Sequence, residues 1–400
     1  MTTSIKKNIA STLSSTPKLK RAIKGAYRYI GDICSDKQSS TIAPLKRIGD
    51  KGEETFFGYY DKSPINSKGE WVAYHASTKK TNQSFSNVDN IKVVVENLQT
   101  NEIMYSKETP IFNWQQGSRL QWVSSDCIVF NTYDEIRNIL TATIVNVRDH
   151  TEIHLPYGIY ECISPDFYLT TNFAKISKHD PDYGYSKIDP RFVNLNQQDD
   201  GILKIENGKL EILYSYHQHN IEFSTLDEYC FNHLLANPSK SSFVFIERGR
   251  TEKGLRFDRL FRSDLSGEVS LISDSGYISH YCWVDDSTLL CFMRHKGVSG
   301  YYSINTETQA IKAFDHLSPV DGHPSFYSDS IVTDTYPDFL RKKQLILSNG
   351  DRNLTLGSIY EPSSFKDSYR CDLHPRINSN KIFIDSAHTG KRGLYYMELP

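Results

Sequence analysis

One pattern recurs through most of this chain and leaves few folds open to it. A short segment leads into a turn of Ser, Pro, Asp, Asn or Gly, then an apolar strand, a polar loop and a further strand. The apolar strand reads WVAYHAS from Trp71, CIVFNTY from Cys127, FYLTTNF from Phe167, SFVFIER from Ser242, TLLCFMR from Thr288, SIVTDTY from Ser330 and KIFIDSA from Lys381. Its followers are KVVVENL, ATIVNV, ILKIE, RLFRSDL, YYSINT, QLILSN and LYYMEL, and most copies continue into a fourth strand such as KLEILYS or EVSLIS. All-β units of about 40–60 residues with turn signals between them are propeller blades. The repeat therefore predicts a seven-bladed β-propeller. Beyond the first thirty residues no run has a helical period.

The last copy stops at its third strand, while an unassigned strand-like stretch, TIAPLKRIG from Thr41, precedes the first. Pairing that stretch as the outer strand of the last blade closes the ring and removes its open edge. The expected organisation is a leader with a linker over 1–40 and the propeller over 41–400.

Leader and body differ in charge. Lys6, Lys7, Lys18, Lys20, Arg21, Lys24 and Arg28 all precede the first acid, Asp32. Ile5, Ile9 and Leu13 recur at helical spacing, as do Leu19, Ile23, Tyr27 and Ile30 after Pro17. A basic amphipathic helix over residues 1–30 is expected either to rest peripherally on an anionic membrane or to remain a solvated leader. SDKQSST from Ser35 reads as linker. No stretch approaches the ~18 apolar residues of a membrane span. The formal net charge of −2 gives no reason to expect nucleic acid as partner. The seven cysteines have no metal-ligand or disulfide spacing, and no signal-peptide core is evident. A cytoplasmic protein, peripheral at the inner membrane if the leader binds there, is the expectation.

Aligned on the apolar strand, the copies place Asp61, Arg119, Tyr160 with Glu161, His233, His280, His323 and His374 at one position, where the innermost strand begins. Innermost strands line the axis, so these residues are expected to ring one mouth of the channel. The loops between second and third strands open on the same face and bring Arg248 among other charges. In the third copy this loop is a long insertion, Lys175–Gly201, carrying Asp180, Asp182, Tyr183, Tyr185 and Arg191. A lone histidine at a strand start commonly bonds a neighbouring blade's backbone. Four at one repeat position become neighbours and point to a site.

GHPSFYSDSIVTDTYPD from Gly322 and DLHPRINSNKIFIDSAHTGKRGLYYMEL from Asp372 resemble the TolB-type repeat, HPxxSPDGxxIxFxSxxxGxxxIYxxDL. Among such propellers they are similar to the oligogalacturonate lyases. The likeness spans roughly 41–400 and is sharpest in the last blades. It implies a carbohydrate-active propeller that holds a divalent metal, often Mn²⁺, and cleaves uronate-containing oligosaccharides by β-elimination. Carried over by position, His323 and His374 are metal ligands and His280 lies nearest the base. The lyases have a second histidine two residues before the final HP, where this chain has Asp372, a residue type that also ligates Mn²⁺. Near their glutamine ligand stands Tyr369. FFGYYDKSP from Phe56 resembles uncharacterised propellers of surface-polysaccharide gene clusters.

β-Elimination beside a uronate needs cations or a metal on the carboxylate and a base that titrates near neutrality. The candidates are His280 or His233 as base, Tyr183 or Tyr185 as proton donor, and Arg119, Arg248, Arg191 and Asp61 as substrate-binding groups, with His323, His374 and Asp372 on a metal. Two rivals stand beside an acidic-glycan lyase: a membrane-associated transferase or modifying enzyme of surface-polysaccharide biosynthesis, and a non-catalytic binding platform.

Overall fold

A computed structural model describes residues 17–226, 228–350 and 352–399. The expected helical spacing of Ile5, Ile9 and Leu13 lies outside the described residues. Seven antiparallel sheets follow one another in sequence, each with its first strand innermost. The apolar run of every repeat is the second strand, as in Trp71–Ser77, which is buried throughout. Each blade is covered on both faces by its neighbours, so these strands are apolar without period-two alternation.

Both ends of the chain close the ring. Lys46–Ile48 pairs with Leu394–Tyr396 as the outer strand of blade seven, as expected. A further strand was not expected: Ser40–Thr41 pairs with Ser358 and Gly357 and gives blade six a fifth strand. A Cβ on Gly357 would stand 2.7 Å from the Thr41 methyl, so this approach requires glycine. The stretch read as linker is thus tied to the propeller, and Asp36 pairs with Lys342 at 2.5 Å.

Helices correct the sequence reading. Pro17–Cys34 is helical, as the leader's spacing suggested, but two short helices were not expected, one within blade three and one between blades three and four. Phe173–His179 is capped by Asn172, and Tyr216–Glu222 by a Ser215–Gln218 capping box. At seven residues each, neither is long enough for a 3.6-residue period to show.

In five of the seven blades a polar side chain at the fifth residue of the second strand joins blade to blade; blades four and five have Ile246 and Phe292 there. The His75 ring bonds Ser118 of blade two; Asn131 holds the Ile159 N–H and C=O of blade three. Thr171 reaches the Phe231 carbonyl at 3.5 Å. Asp334 accepts from the His374 N–H, and Asp385 takes the Phe57 and Gly58 N–H groups of blade one. Each satisfies backbone groups that the inner segments leave unpaired.

His75 illustrates the cost. Ser118 N–H donates to Nε2 at 3.1 Å, and Nδ1 donates to the Phe57 carbonyl at 2.9 Å, so the buried ring is neutral. Burial pushes its pKa down to about 3, against about 6.5 in the unfolded chain. Between those values the unfolded state binds the extra proton, so stability falls as pH drops. We expect denaturant melts at successive pH values below 6.5 to show His75→Gln with a slope shallower than wild type by up to about 1.4 kcal/mol per pH unit.

A candidate histidine–carboxylate site at one channel mouth

The repeat brings its histidines together. The ring centroids of His280 and His323 lie 4.1 Å apart, and those of His323 and His374 4.4 Å. Asp372 joins them: ligand atoms of His323, Asp372 and His374 all fall within 4.8 Å of one another. All four side chains are buried. Their proximity follows from one repeat position in consecutive blades.

The ring orientations are set by oxygens behind them. His280 donates Nδ1–H to Asp321 at 3.1 Å, His323 to Asp334 at 2.8 Å, and His374 to the Gly58 carbonyl at 2.6 Å. In His280 and His374 Nε2 keeps its lone pair, and that of His374 is buried with no hydrogen-bond partner. Metal-binding histidines are held in this way, by a carboxylate or carbonyl on the far nitrogen. Asp334 serves both blades, since Oδ1 also takes the His323 N–H and Oδ2 the His374 N–H. The donor set of two imidazoles and a carboxylate fits a divalent ion such as Mn²⁺.

Electrostatics separate the histidines. Burial lowers the pKa of His280, and the neighbouring His323 lowers it further. His374 is held well below its usual value by burial, then by His323 and Arg376. Burial also opposes charge on His323, but the Asp334 carboxylate outweighs it and the pKa is raised. Burial works against ionised Asp372 too, yet Arg370 and His323 hold its pKa below the usual range. Arg370 donates to Asp372 at 2.7 Å and pairs with Asp182 at 2.6 Å.

His233 lies on the far side of Tyr59, stacked on that ring at 5.2 Å. Its Nε2 accepts from Arg248 at 3.0 Å, and burial together with that guanidinium drives its pKa well down. Tyr183 meets His233 edge-on at 4.7 Å and keeps its phenol proton because burial raises its pKa. Arg248 is shared between Asp180 at 2.8 Å and Asp258 at 3.1 Å. The blade-three insertion therefore spans the mouth, clasped to blade four through Asp180 and to blade seven through Asp182.

Three of the expected substrate-binding residues are placed elsewhere. Arg119 and Asp61 pair with each other at 3.0 Å, with Arg119 lying over Tyr160. Asp61 contributes instead, with Lys62, Glu161, Asn237 and Lys240, to an opening of about 290 Å³ at the other mouth. Arg191 sits between blades two and three, bound to Asp189 and the Leu140 carbonyl and stacked on Tyr157. Its buried carboxylate partner draws it away from the mouth. Tyr369 packs beside Phe56 and Trp114 rather than joining the histidines.

Residues missed from sequence complete the site. Tyr59 packs on His374 at 5.1 Å, Tyr60 on His323 at 5.4 Å, and Tyr336 on His323 at 5.6 Å. Blade one thus offers aromatics where later blades offer imidazoles, a substitution visible in FFGYYDKSP. Lys24, Tyr27 and Arg28 of the N-terminal helix wall a cavity of about 380 Å³ whose lining includes Tyr336, Arg370 and Asp372.

Fold and site together define a seven-bladed β-propeller with a histidine–carboxylate cluster at one mouth. No protein-family model matches the chain, and no curated protein matches its sequence. Solved structures do match. An oligogalacturonate lyase in complex with manganese superposes with a TM-score of 0.63 at 14% identity, covering 90% of this chain and 94% of that one. The oligogalacturonate lyase of Vibrio parahaemolyticus gives 0.62 at 14% identity, over 91% and 97%. The tricorn protease gives 0.51 at 10% identity, over 88% of this chain and 34% of its own. At such identities the likeness is one of fold.

Asp334→Asn replaces one acceptor oxygen by an amide that faces an N–H. The variant should fold with stability reduced by about 1–3 kcal/mol. A divalent ion held by His323, His374 and Asp372 would bind the variant about 10–100-fold more weakly in titration calorimetry.

Proposed function

We propose that this propeller acts on acidic, uronate-containing oligo- or polysaccharide by metal-assisted β-elimination. The observation that carries the reading is the cluster of three imidazoles, each tethered through Nδ1, beside an ionised carboxylate and under a clasped insertion. His323, His374 and Asp372 would hold the metal. When bound, a divalent cation withdraws charge from the uronate carboxylate and makes the adjacent carbon acid stronger.

The chain's own residues supply the remaining parts. His280 is neutral near pH 7 and held by Asp321, so its Nε2 can accept the proton from the carbon bearing the carboxylate. The electron pair released forms the double bond as the glycosidic C–O bond breaks, and the departing oxygen takes a proton. Tyr183, whose phenol stays protonated, is the candidate donor. Arg370 keeps Asp372 ionised, and Arg248 fixes the insertion over the mouth through Asp180. His233, already accepting from Arg248, is the weaker candidate for base.

The test is incubation of Mn²⁺-loaded protein with oligogalacturonates and other uronate glycans, read by ultraviolet absorbance of the unsaturated product. His280→Ala should lower turnover by about 10²–10⁴-fold while retaining metal, and His323→Ala should lose both. Metal retention and glycan binding with no unsaturated product from any uronate glycan would replace this reading by the binding platform.

A further inference from the structure

The N-terminal helix docks on the propeller by its polar side. Arg28 pairs with Asp367 at 3.2 Å, and Asp32 accepts from Tyr360 and from Ser363 at 3.0 Å. Gly31 lies so close that a Cβ would stand 1.9 Å from the Phe339 carbonyl oxygen. At 3.6 residues per turn, Leu19, Ile23, Ile30 and Ile33 fall on the opposite side. They are 52, 47, 51 and 62% exposed. This reverses the usual arrangement, in which the apolar stripe of a helix faces the core.

The exposed stripe continues onto the propeller. Tyr27 meets Phe339 edge-on at 4.9 Å, and Phe339 and Leu340 are themselves 37 and 42% exposed. Both belong to the blade-six loop that carries Tyr336, so the apolar surface borders the candidate site. The first 31 residues of the sequence hold seven Lys or Arg and no acid, while the acids nearby, Asp36 and Asp367, are paired with Lys342 and Arg28. Among the described residues no helix is long and apolar enough to cross a membrane.

We infer that this face docks on an anionic lipid bilayer, with the histidine-bearing mouth turned towards it. An apolar stripe in a basic segment is the chemistry of an interfacial helix, and seven Lys or Arg without an acid in the first 31 residues favour anionic lipid as the occupant. Docking stands whether or not the site eliminates. Joined to the proposed activity, on which this part rests, it means that the acidic glycan is met at a membrane surface.

The experiment uses the full chain with vesicles of phosphatidylglycerol and phosphatidylethanolamine, and phosphatidylcholine vesicles as the neutral control. Co-sedimentation should occur with the anionic vesicles only and weaken as salt is raised. The triple variant Ile23→Ser, Ile30→Ser, Ile33→Ser should bind at least about tenfold more weakly with unchanged melting. Orientation is read in a Cys34→Ser background by fluorophores at Leu340→Cys on this mouth and Ser239→Cys on the opposite one. Nitroxide lipids should quench the first and spare the second. Failure to bind, undiminished binding by the triple variant, or equal quenching at the two positions would overturn the inference. Loss of β-elimination with vesicle binding intact would overturn only the proposed activity.

Discussion

Five of the seven seams between blades are joined by a polar side chain that reaches from one sheet into the inner segment of the next, and the candidate site is a by-product of that joinery. Asp334 shows the connection most directly. Its carboxylate spans the seam between blades six and seven by accepting from the backbone of both His323 and His374, and it orients the His323 ring as well. Asp385 performs the equivalent task at the seam between blades seven and one, where it holds Gly58. The Gly58 carbonyl in turn orients His374. Packing between sheets and aim of the imidazoles are therefore one set of hydrogen bonds. A displacement of a blade would move the ligands with it.

Charge near the mouth is almost wholly compensated at short range. Arg248 lies between Asp180 and Asp258, and Arg370 between Asp182 and Asp372. Removing such ions from water costs several kcal/mol each, and their attraction does little more than offset it. Their value is positional: they fasten the blade-three insertion across the mouth at two points. Two guanidiniums and four carboxylates are thereby fixed at the mouth as paired charges.

The fold was legible because the apolar second strand survives in every repeat, from WVAYHAS to KIFIDSA, and because a three-stranded last unit calls for a strand from elsewhere. The proximity of His280, His323 and His374 was legible for the same reason, since repeat position becomes angular position about the axis. What spacing does not encode is which partner a side chain chooses. Arg191 belongs to a loop that reaches the mouth, yet Asp189, two residues away, captures it. Arg119 occupies the same repeat position as the histidines and is neutralised by Asp61. Tyr59 and Tyr60 were passed over because their blade departs from the repeat at the point where it fills the axis. The fifth strand of blade six is only two residues long, too short for any periodic signal.

Closure by Lys46–Ile48 against Leu394–Tyr396 sets the timing of folding in the cell. The first blades can form while the chain is still being synthesised, but the strand that seals the ring has no partner until residue 396 has left the ribosome. Until blade seven is made, Lys46–Ile48 waits as an open edge. The Gly58 carbonyl that orients His374 belongs to blade one, and His374 lies in the last blade to emerge. Assembly of the ring and assembly of the site are consequently the same late event. A truncated or stalled chain would have most of its blades but no complete histidine cluster.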